Sequence, residues 1–225
     1  MDLRKLAAAE AVNYIKNNTV VGFGGGATIA YAIEFLSDRI KNESLKIEVC
    51  TSSAATKDVC IKYNVLLKDL PTQSPIDLYF DGCDQFDYQL NALKSGAGIH
   101  TTEKIFASLA TEFILLGDTS KRTQTFATRY PVVVDVLPAA VSLATNKIKE
   151  LFPNANPEIR KSADGSSALT EHGHVLIDVW FKVFPEPSAA HQQLKNITGI
   201  VETSLFIGLA HKAIIATEQG IETYI

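Results

Sequence analysis

The chain has 225 residues, 46% hydrophobic and 20% charged, with a net charge of −4, an ordinary globular composition long enough for one large core or two modest ones. No Lys/Arg block supports a nucleic-acid footprint, and no apolar run approaches the ~18–20 residues that a bilayer-spanning helix needs. Three cysteines (Cys50, Cys60, Cys83) with no Cys-x-x-Cys predict a reduced, cytoplasmic setting.

Residues 1–15 carry Asp2, Arg4, Lys5 and Glu10 and read as an amphipathic helix, not a signal peptide. Residues 19–23 form a short buried-strand pattern, followed at once by Gly24-Gly25-Gly26. Ile29, Ile33, Leu36 and Ile40 then recur at helical spacing. A strand is expected over 45–49, a helix over 52–63, and a strand over 76–80 that ends at Asp81. A helix over 103–112 and a strand over 113–116, ending at Gly117-Asp118, follow. Strands alternating with helices predict an α/β fold with a doubly wound, mostly parallel sheet. Such sheets bind ligands beyond the carboxyl ends of their strands. The Gly24 turn, Thr51-Ser52-Ser53, Asp81 and Asp118 all fall at such ends.

The pattern changes near Tyr130-Pro131. A strand over 132–136 and a helix over 139–151 precede a polar, turn-rich stretch, 154–173. A strand over 175–184 is closed by Pro185-Glu186-Pro187, and a helix runs through Leu194. Further strands are expected near 200–206, 213–216 and 222–224. The predicted organisation is a main α/β domain of residues 1–129 plus 197–225, carrying the active site, and a smaller α+β domain of residues 130–196.

Chemistry concentrates in residues 81–103. Asp81 and Asp84 admit three readings: turn carboxylates capping amides, ligands for a hard cation, or sugar-hydroxyl binding with acid/base work. Lys94 opens the small-residue loop Ser95-Gly96-Ala97-Gly98. A lysine beside exposed N–H groups can stabilise an oxyanion, although most lysines are simply solvated. Glu103 sits in the first turn of a helix, as a dipole partner or as a general base. At Gly24 to Thr28, amides at a helix start can hold phosphate without a metal, or make only a tight turn. The pattern is not a nucleotide P-loop. His172-Gly173-His174 reads as a polar turn sooner than a metal site, His100 as a partly exposed loop residue, and Cys83 as a small buried one.

Taken in order, these motifs resemble the type A ribose-5-phosphate isomerase family from end to end. Asp81-Gly82-Cys83-Asp84 is similar to its Asp-Gly-Ala-Asp, and Lys94-Ser95-Gly96-Ala97 to its Lys-Gly-Gly-Gly. Thr101-Thr102-Glu103-Lys104 is similar to Thr-Arg-Glu-Lys, and Asp118-Thr119-Ser120-Lys121 to Asp-x-Ser-Lys. The stretch from Gly22 to Thr28 resembles the family's Gly-x-Gly-Thr-Gly-Ser-Thr phosphate loop, and Val134-Asp135-Val136-Leu137-Pro138 its Val-Glu-Val-Ile/Val-Pro. This chain departs by placing Gly25 and Ala27 where the family has hydroxyls, Ser95 and Ala97 for glycines, Gln85 for Glu, and Thr102 for Arg. Glu171-His172-Gly173-His174 stands where Asp-Asn-Gly-Asn is usual.

The resemblance implies an aldose–ketose isomerase of the non-oxidative pentose phosphate pathway, with no metal and no organic cofactor. Glu103 would carry a proton between C2 and C1 of ribose 5-phosphate through an enediolate. Asp81 would assist ring opening, Asp84 would orient hydroxyls, and Lys94 with the loop amides would hold the enediolate charge. Substrate binding would fall to Gly25, Gly26, Ala27, Thr28, Gly82, Cys83, Ser95, Gly96, Ala97 and Lys121. The resemblance further implies a homo-oligomer, dimer or tetramer, with no nucleic-acid or membrane partner. Two rivals share this type of fold: a non-catalytic sugar-phosphate sensor, or an isomerase of another sugar phosphate. An acyl-CoA transferase-like enzyme would need a pantetheine groove that the sequence does not display.

Overall fold

The computed structural model describes residues 2–70 and 75–225. In chain order its elements are α1 (Leu3–Asn13), β1 (Val20–Phe23), α2 (Ala27–Glu43), β2 (Glu48–Thr51), α3 (Ala54–Lys62) and β3 (Ile76–Gly82). Next come β4 (Gln85–Phe86), β5 (Ala92–Leu93), α4 (His100–Leu109), β6 (Ala110–Asp118), β7 (Val132–Val136), α5 (Val141–Leu151) and β8 (Ala155–Ile159). The last are β9 (Val175–Phe181), α6 (Pro187–Lys195), β10 (Ile200–Thr203), β11 (Leu205–Phe206), β12 (Lys212–Thr217) and β13 (Gly220–Tyr224).

The chain forms two compact units. Met1–Cys83, Thr102–Arg122 and Gly208–Ile225 make the first; Asp84–Thr101 and Thr123–Ile207 make the second. This division differs from the expected boundaries. Residues 84–101, 123–129 and 197–207 belong with the second unit, because β4, β5 and β11 pair into a small sheet of their own, in the order β11-β5-β4.

The first unit holds a six-stranded sheet, β13-β12-β6-β3-β1-β2. Every pairing is parallel except the edge hairpin β12–β13. From β1 the chain moves outward to β2, then returns to place β3 on the other side of β1. The strand order therefore reverses between β1 and β3, the point at which such sheets open a crevice beyond their strand ends. Helix α2 buries Ile29, Ala32, Ile33 and Leu36 along one stripe, and these pack with Val21, Phe23, Leu78, Phe80, Ile114 and Leu116. Side chains alternate across a strand, so Tyr79 and Phe113 face the opposite side, where Phe106 of α4 meets Tyr79. The sheet is thus covered on both faces, which is the doubly wound α/β arrangement. Helix α4 starts three residues before the expected helix, at His100, and ends at Leu109; β6 begins immediately at Ala110.

The second unit has an antiparallel sheet, β10-β7-β9-β8, with α5 and α6 contributing Ala144, Ile148, Ala190 and Leu194 to its core. Strand β8 lies inside the stretch expected to be turns. Its sequence, Ala-Asn-Pro-Glu-Ile, has weak strand propensity. It forms at a sheet edge, where a proline is tolerated, by pairing along β9. Among the described residues, no helix is long and apolar enough to cross a membrane.

Candidate active site

In the first unit, candidate residues gather at the β1/β3 reversal. Asp81, the last residue but one of β3, is fully buried and accepts hydrogen bonds from two amides and a hydroxyl. Oδ1 takes the Gly82 amide at 2.7 Å and the Gly25 amide at 3.1 Å, and Oδ2 takes the Tyr79 hydroxyl at 2.8 Å. A buried acceptor left short of donors costs about 1–3 kcal/mol or more, so this set of donors is what permits the burial. The Tyr79 hydroxyl also lies 3.0 Å from Ser52 Oγ. Burial foremost, then the charges of Asp81 and Glu103, push the Tyr79 phenol well above its ordinary value. Tyr79 therefore stays a neutral donor and lies within electrostatic reach of both carboxylates.

Gly24 is dictated by this carboxylate. A Cβ there would lie 1.9 Å from Asp81 Cγ and 2.1 Å from its Oδ1. The turn is pinned by Gly24 N–H donating to the Phe80 carbonyl at 2.8 Å and by Thr56 Oγ1 donating to the Gly24 carbonyl at 2.7 Å. Gly26 caps α2 at φ 108°, with no side chain satisfying the helix start. The first amides of a helix lack intrahelical acceptors and carry the positive end of its dipole. Gly26 and Ala27 are exposed and Thr28 is half-buried, so this helix start faces outward. The Gly25 amide is already engaged by Asp81, so the anion-binding donors reduce to those that follow it.

Glu103 lies in the first turn of α4, only 6% exposed. Lys121 is carried by a short 3-10 turn, Thr119–Lys121, capped by Asp118, whose carboxylate accepts the Ser120 amide at 2.9 Å.

The second unit holds Asp84 and Lys94. The Asp84 amide donates to the Leu93 carbonyl at 2.9 Å, and its Oδ2 accepts the Ser95 amide at 2.5 Å. The Lys94 amide donates to the Ser204 carbonyl at 3.0 Å. Its side chain is 8% exposed, with Nζ 5.7 Å from the Phe206 ring centroid. Ser95 Oγ donates to the Pro131 carbonyl at 2.6 Å. Both the amide and the hydroxyl of Ser95 are thus committed, to Asp84 and Pro131, and the loop donors reduce to Gly96, Ala97 and Gly98. Gly98 has φ +74°, and a Cβ on it would lie 2.3 Å from Leu176 Cδ1.

At the start of α4, Thr101 Oγ1 donates to Asp135 Oδ2 at 2.6 Å. The other Asp135 oxygen lies 2.8 Å from His174 Nδ1, an ion-pair distance without hydrogen-bond alignment. His172-Gly173-His174 is a turn, with the Gly173 amide donating to the Thr170 carbonyl at 2.9 Å. His100 is fully buried, not a partly exposed loop residue, because α4 starts at it. Cys83 is half-buried, whereas burial raises the Cys60 thiol to about 11 and the Cys50 thiol, helped by Glu48, to about 12. Among the described residues, no three His, Cys, Asp or Glu side chains group as a metal site.

The model of the family ribose 5-phosphate isomerase A (phosphoriboisomerase A) matches residues 48–220. The chain belongs to this family. It is 35% identical over 212 residues to ribose-5-phosphate isomerase A of Thermosynechococcus vestitus, covering 92% of this chain and 88% of that one. It is 30% identical over 223 residues to the Homo sapiens ribose-5-phosphate isomerase, covering 97% of this chain and 71% of that one. A solved ribose 5-phosphate isomerase A from Methanocaldococcus jannaschii superposes with a TM-score of 0.90 at 30% identity, over 99% of this chain and 97% of that one. A second, a D-ribose-5-phosphate isomerase in complex with phospho-erythronic acid, gives 0.91 at 29% identity, over 99% and 97%.

The sequence points to Asp81, Asp84, Lys94 and Glu103, but not to the Tyr79 donor to Asp81 or to the Asp135–His174 contact. Tyr79 was hidden in a hydrophobic run. Its position two residues before Asp81, hence on the same strand face, was the available signal. The Asp135–His174 contact joins positions remote in sequence, and no local signal marks it.

Proposed function

We propose that this chain interconverts D-ribose 5-phosphate and D-ribulose 5-phosphate through an enediolate. The observation that carries the proposal is the burial of three ionisable side chains: Asp81 at 0%, Glu103 at 6% and Lys94 at 8% exposure. Such groups are rarely buried without pairing or function, and family membership supplies the function.

Asp81, held by Tyr79 and two amides, is the group assigned to the anomeric oxygen as the ring opens. Glu103 takes the C2 proton of the open-chain aldose and returns it at C1, while the hydroxyl proton passes from O2 to O1, and the reverse for the ketose. Charge then grows on the C1 and C2 oxygens. Lys94 and the Gly96 to Gly98 amides are the donors proposed for it, and fixed donors of this kind act mainly on the transition state. Asp84 keeps one oxygen for substrate hydroxyls while the other holds the Ser95 amide. The phosphate is assigned to the α2 start from Gly26 to Thr28, with Lys121 as a further cation. Gly82 and Cys83 complete the proposed binding set.

The reaction needs no metal on this reading, because lysine and amide donors carry the developing charge. A homo-oligomer and a cytoplasmic location belong to the same proposal; light scattering on the purified protein tests the first. A coupled assay for ribulose 5-phosphate formation, run with EDTA, tests the function. The expected result is full activity with chelator. No turnover of ribose 5-phosphate refutes the assignment, and loss with EDTA restored by Mg²⁺ or Mn²⁺ moves Asp81 and Asp84 into a metal site.

A further inference from the structure

The loop that follows Lys94 has few contacts of its own to fix its conformation. Gly96 and Ala97 are exposed, and a Cβ at Gly96 would meet nothing within 4 Å. One side chain reaches it from 64 residues away in sequence. Arg160, just after β8, donates from Nη1 to the Gly96 carbonyl and from Nη2 to the Ser95 carbonyl, each at 2.7 Å. The same guanidinium grips Asp178 of β9 through Nη2 at 2.6 Å and through Nε at 3.0 and 3.1 Å. Arg160 and Asp178 are 19% and 15% exposed at the side chain, so the pair is shielded on most sides. A planar guanidinium held on one edge by a carboxylate presents its remaining N–H groups in a fixed direction.

The consequence follows from peptide geometry. Both peptide bonds are trans, and in a trans peptide the N–H points opposite to the C=O. Turning the Ser95 and Gly96 carbonyls onto Arg160 therefore turns the next N–H groups, those of Gly96 and Ala97, to the opposite side of the loop. Without Arg160, a Gly-containing loop can flip these peptides at little steric cost.

We propose that Arg160, locked by Asp178, is a positioning residue: it aims the Gly96 and Ala97 amides as oxyanion donors beside Lys94. This rests on the isomerase reading above, and it adds a residue that touches no substrate. Asp84 and Pro131 hold Ser95 from its amide and hydroxyl, and Arg160 fixes the carbonyl direction that those contacts leave open.

The test is steady-state kinetics of the full chain, wild type against Arg160→Ala, Arg160→Lys and Asp178→Asn, with thermal unfolding of each. Misaimed donors cost kcat, and a misplacement of about 1 Å can cost on the order of 10²-fold. Arg160→Ala is expected to lose about that much in kcat with KM nearly unchanged, and to regain part of it when guanidinium or ethylguanidinium is added. Arg160→Lys is expected not to recover, because an ammonium cannot span two carbonyls and a carboxylate. Wild-type kcat in a folded Arg160→Ala, or a rise in KM alone, overturns the proposal. If Arg160→Ala does not fold, Asp178→Asn carries the test: a lower kcat at constant KM supports the proposal, and an unchanged kcat overturns it. A wild-type protein that does not turn over ribose 5-phosphate refutes the isomerase reading instead.

Discussion

The two units hold their candidate residues by different means. In the first, Gly24 follows β1 while Tyr79 and Asp81 lie on the adjacent parallel β3, and each contact follows from strand register: Phe23 lies beside Phe80, so the turn after β1 meets Asp81. In the second, Asp84 and Lys94 flank a hairpin of two two-residue strands, β4 and β5. The loop after Lys94 is fixed by Pro131 and Arg160, 36 and 64 to 65 residues away. A doubly wound sheet delivers its site through local strand–turn–helix geometry, whereas a loop on a small antiparallel sheet needs long-range clamps. Substitutions of Gly24 or Tyr79 should therefore act through packing and hydrogen-bond satisfaction, and those around the Lys94 loop through its donors.

Lys94→Ala should have the largest effect of the variants that separate these two modes. Losing an oxyanion donor typically costs about 2.7–4 kcal/mol, and the loss should fall on kcat more than on KM. A variant whose KM rises while kcat holds would make Lys94 a ground-state contact. Gly24→Ala probes the other mode. Its methyl would occupy the Asp81 carboxylate position, and overpacking typically costs about 1–3 kcal/mol. Thermal unfolding should show that loss together with reduced activity; an unperturbed melting temperature would mean that the turn yields freely.

Tyr79→Phe removes one of the donors to Asp81 without changing shape. An unsatisfied buried acceptor costs about 1–3 kcal/mol, or about 5- to 150-fold, seen as lower stability and lower kcat/KM at neutral pH. The same variant has a pH signature. The folded-state pKa of Tyr79 is raised above its ordinary value of 10.0. Its contribution to stability is therefore present below pH ~10 and is lost as pH rises from there toward the folded value. Urea unfolding from about pH 9 to 11 should show a shallower alkaline loss for Tyr79→Phe than for wild type. Equal slopes would remove Tyr79 from the alkaline transition.

The smallest effect is a gain. Gly25→Thr with Ala27→Ser adds two hydroxyls at the α2 start, each worth about 0.5–1.5 kcal/mol, and should lower KM for ribose 5-phosphate. No change in KM would mean that Lys121 or the existing amides already satisfy the phosphate.

These contrasts also explain what the sequence could reveal. The β1 turn, Asp81 and the α2 stripe of Ile29, Ile33 and Leu36 were legible because strand, glycine turn and amphipathic helix are local patterns. The start of α4 was misplaced by three residues because His100-Thr101-Thr102 carries no strong helix-start pattern. Strand β8 was invisible because its residues gain their strand form from β9. Arg160 read as one arginine in a polar stretch, since its partners Ser95, Gly96 and Asp178 converge on it only after folding. Gly25 and Ser95 were assigned as substrate donors, yet their amides bond to Asp81 and Asp84, a use of backbone that no motif encodes.

The central claim is that Glu103 moves the substrate proton, and Glu103→Gln assayed in D₂O tests it most directly. NMR would follow deuterium entering C2 of ribose 5-phosphate and C1 of ribulose 5-phosphate, alongside the isomerisation rate. The account predicts a folded variant with an unchanged melting profile in which exchange and isomerisation fall together, by about 10²–10⁴-fold, as loss of a general base requires. A folded Glu103→Gln that exchanges or isomerises at near wild-type rate would contradict it.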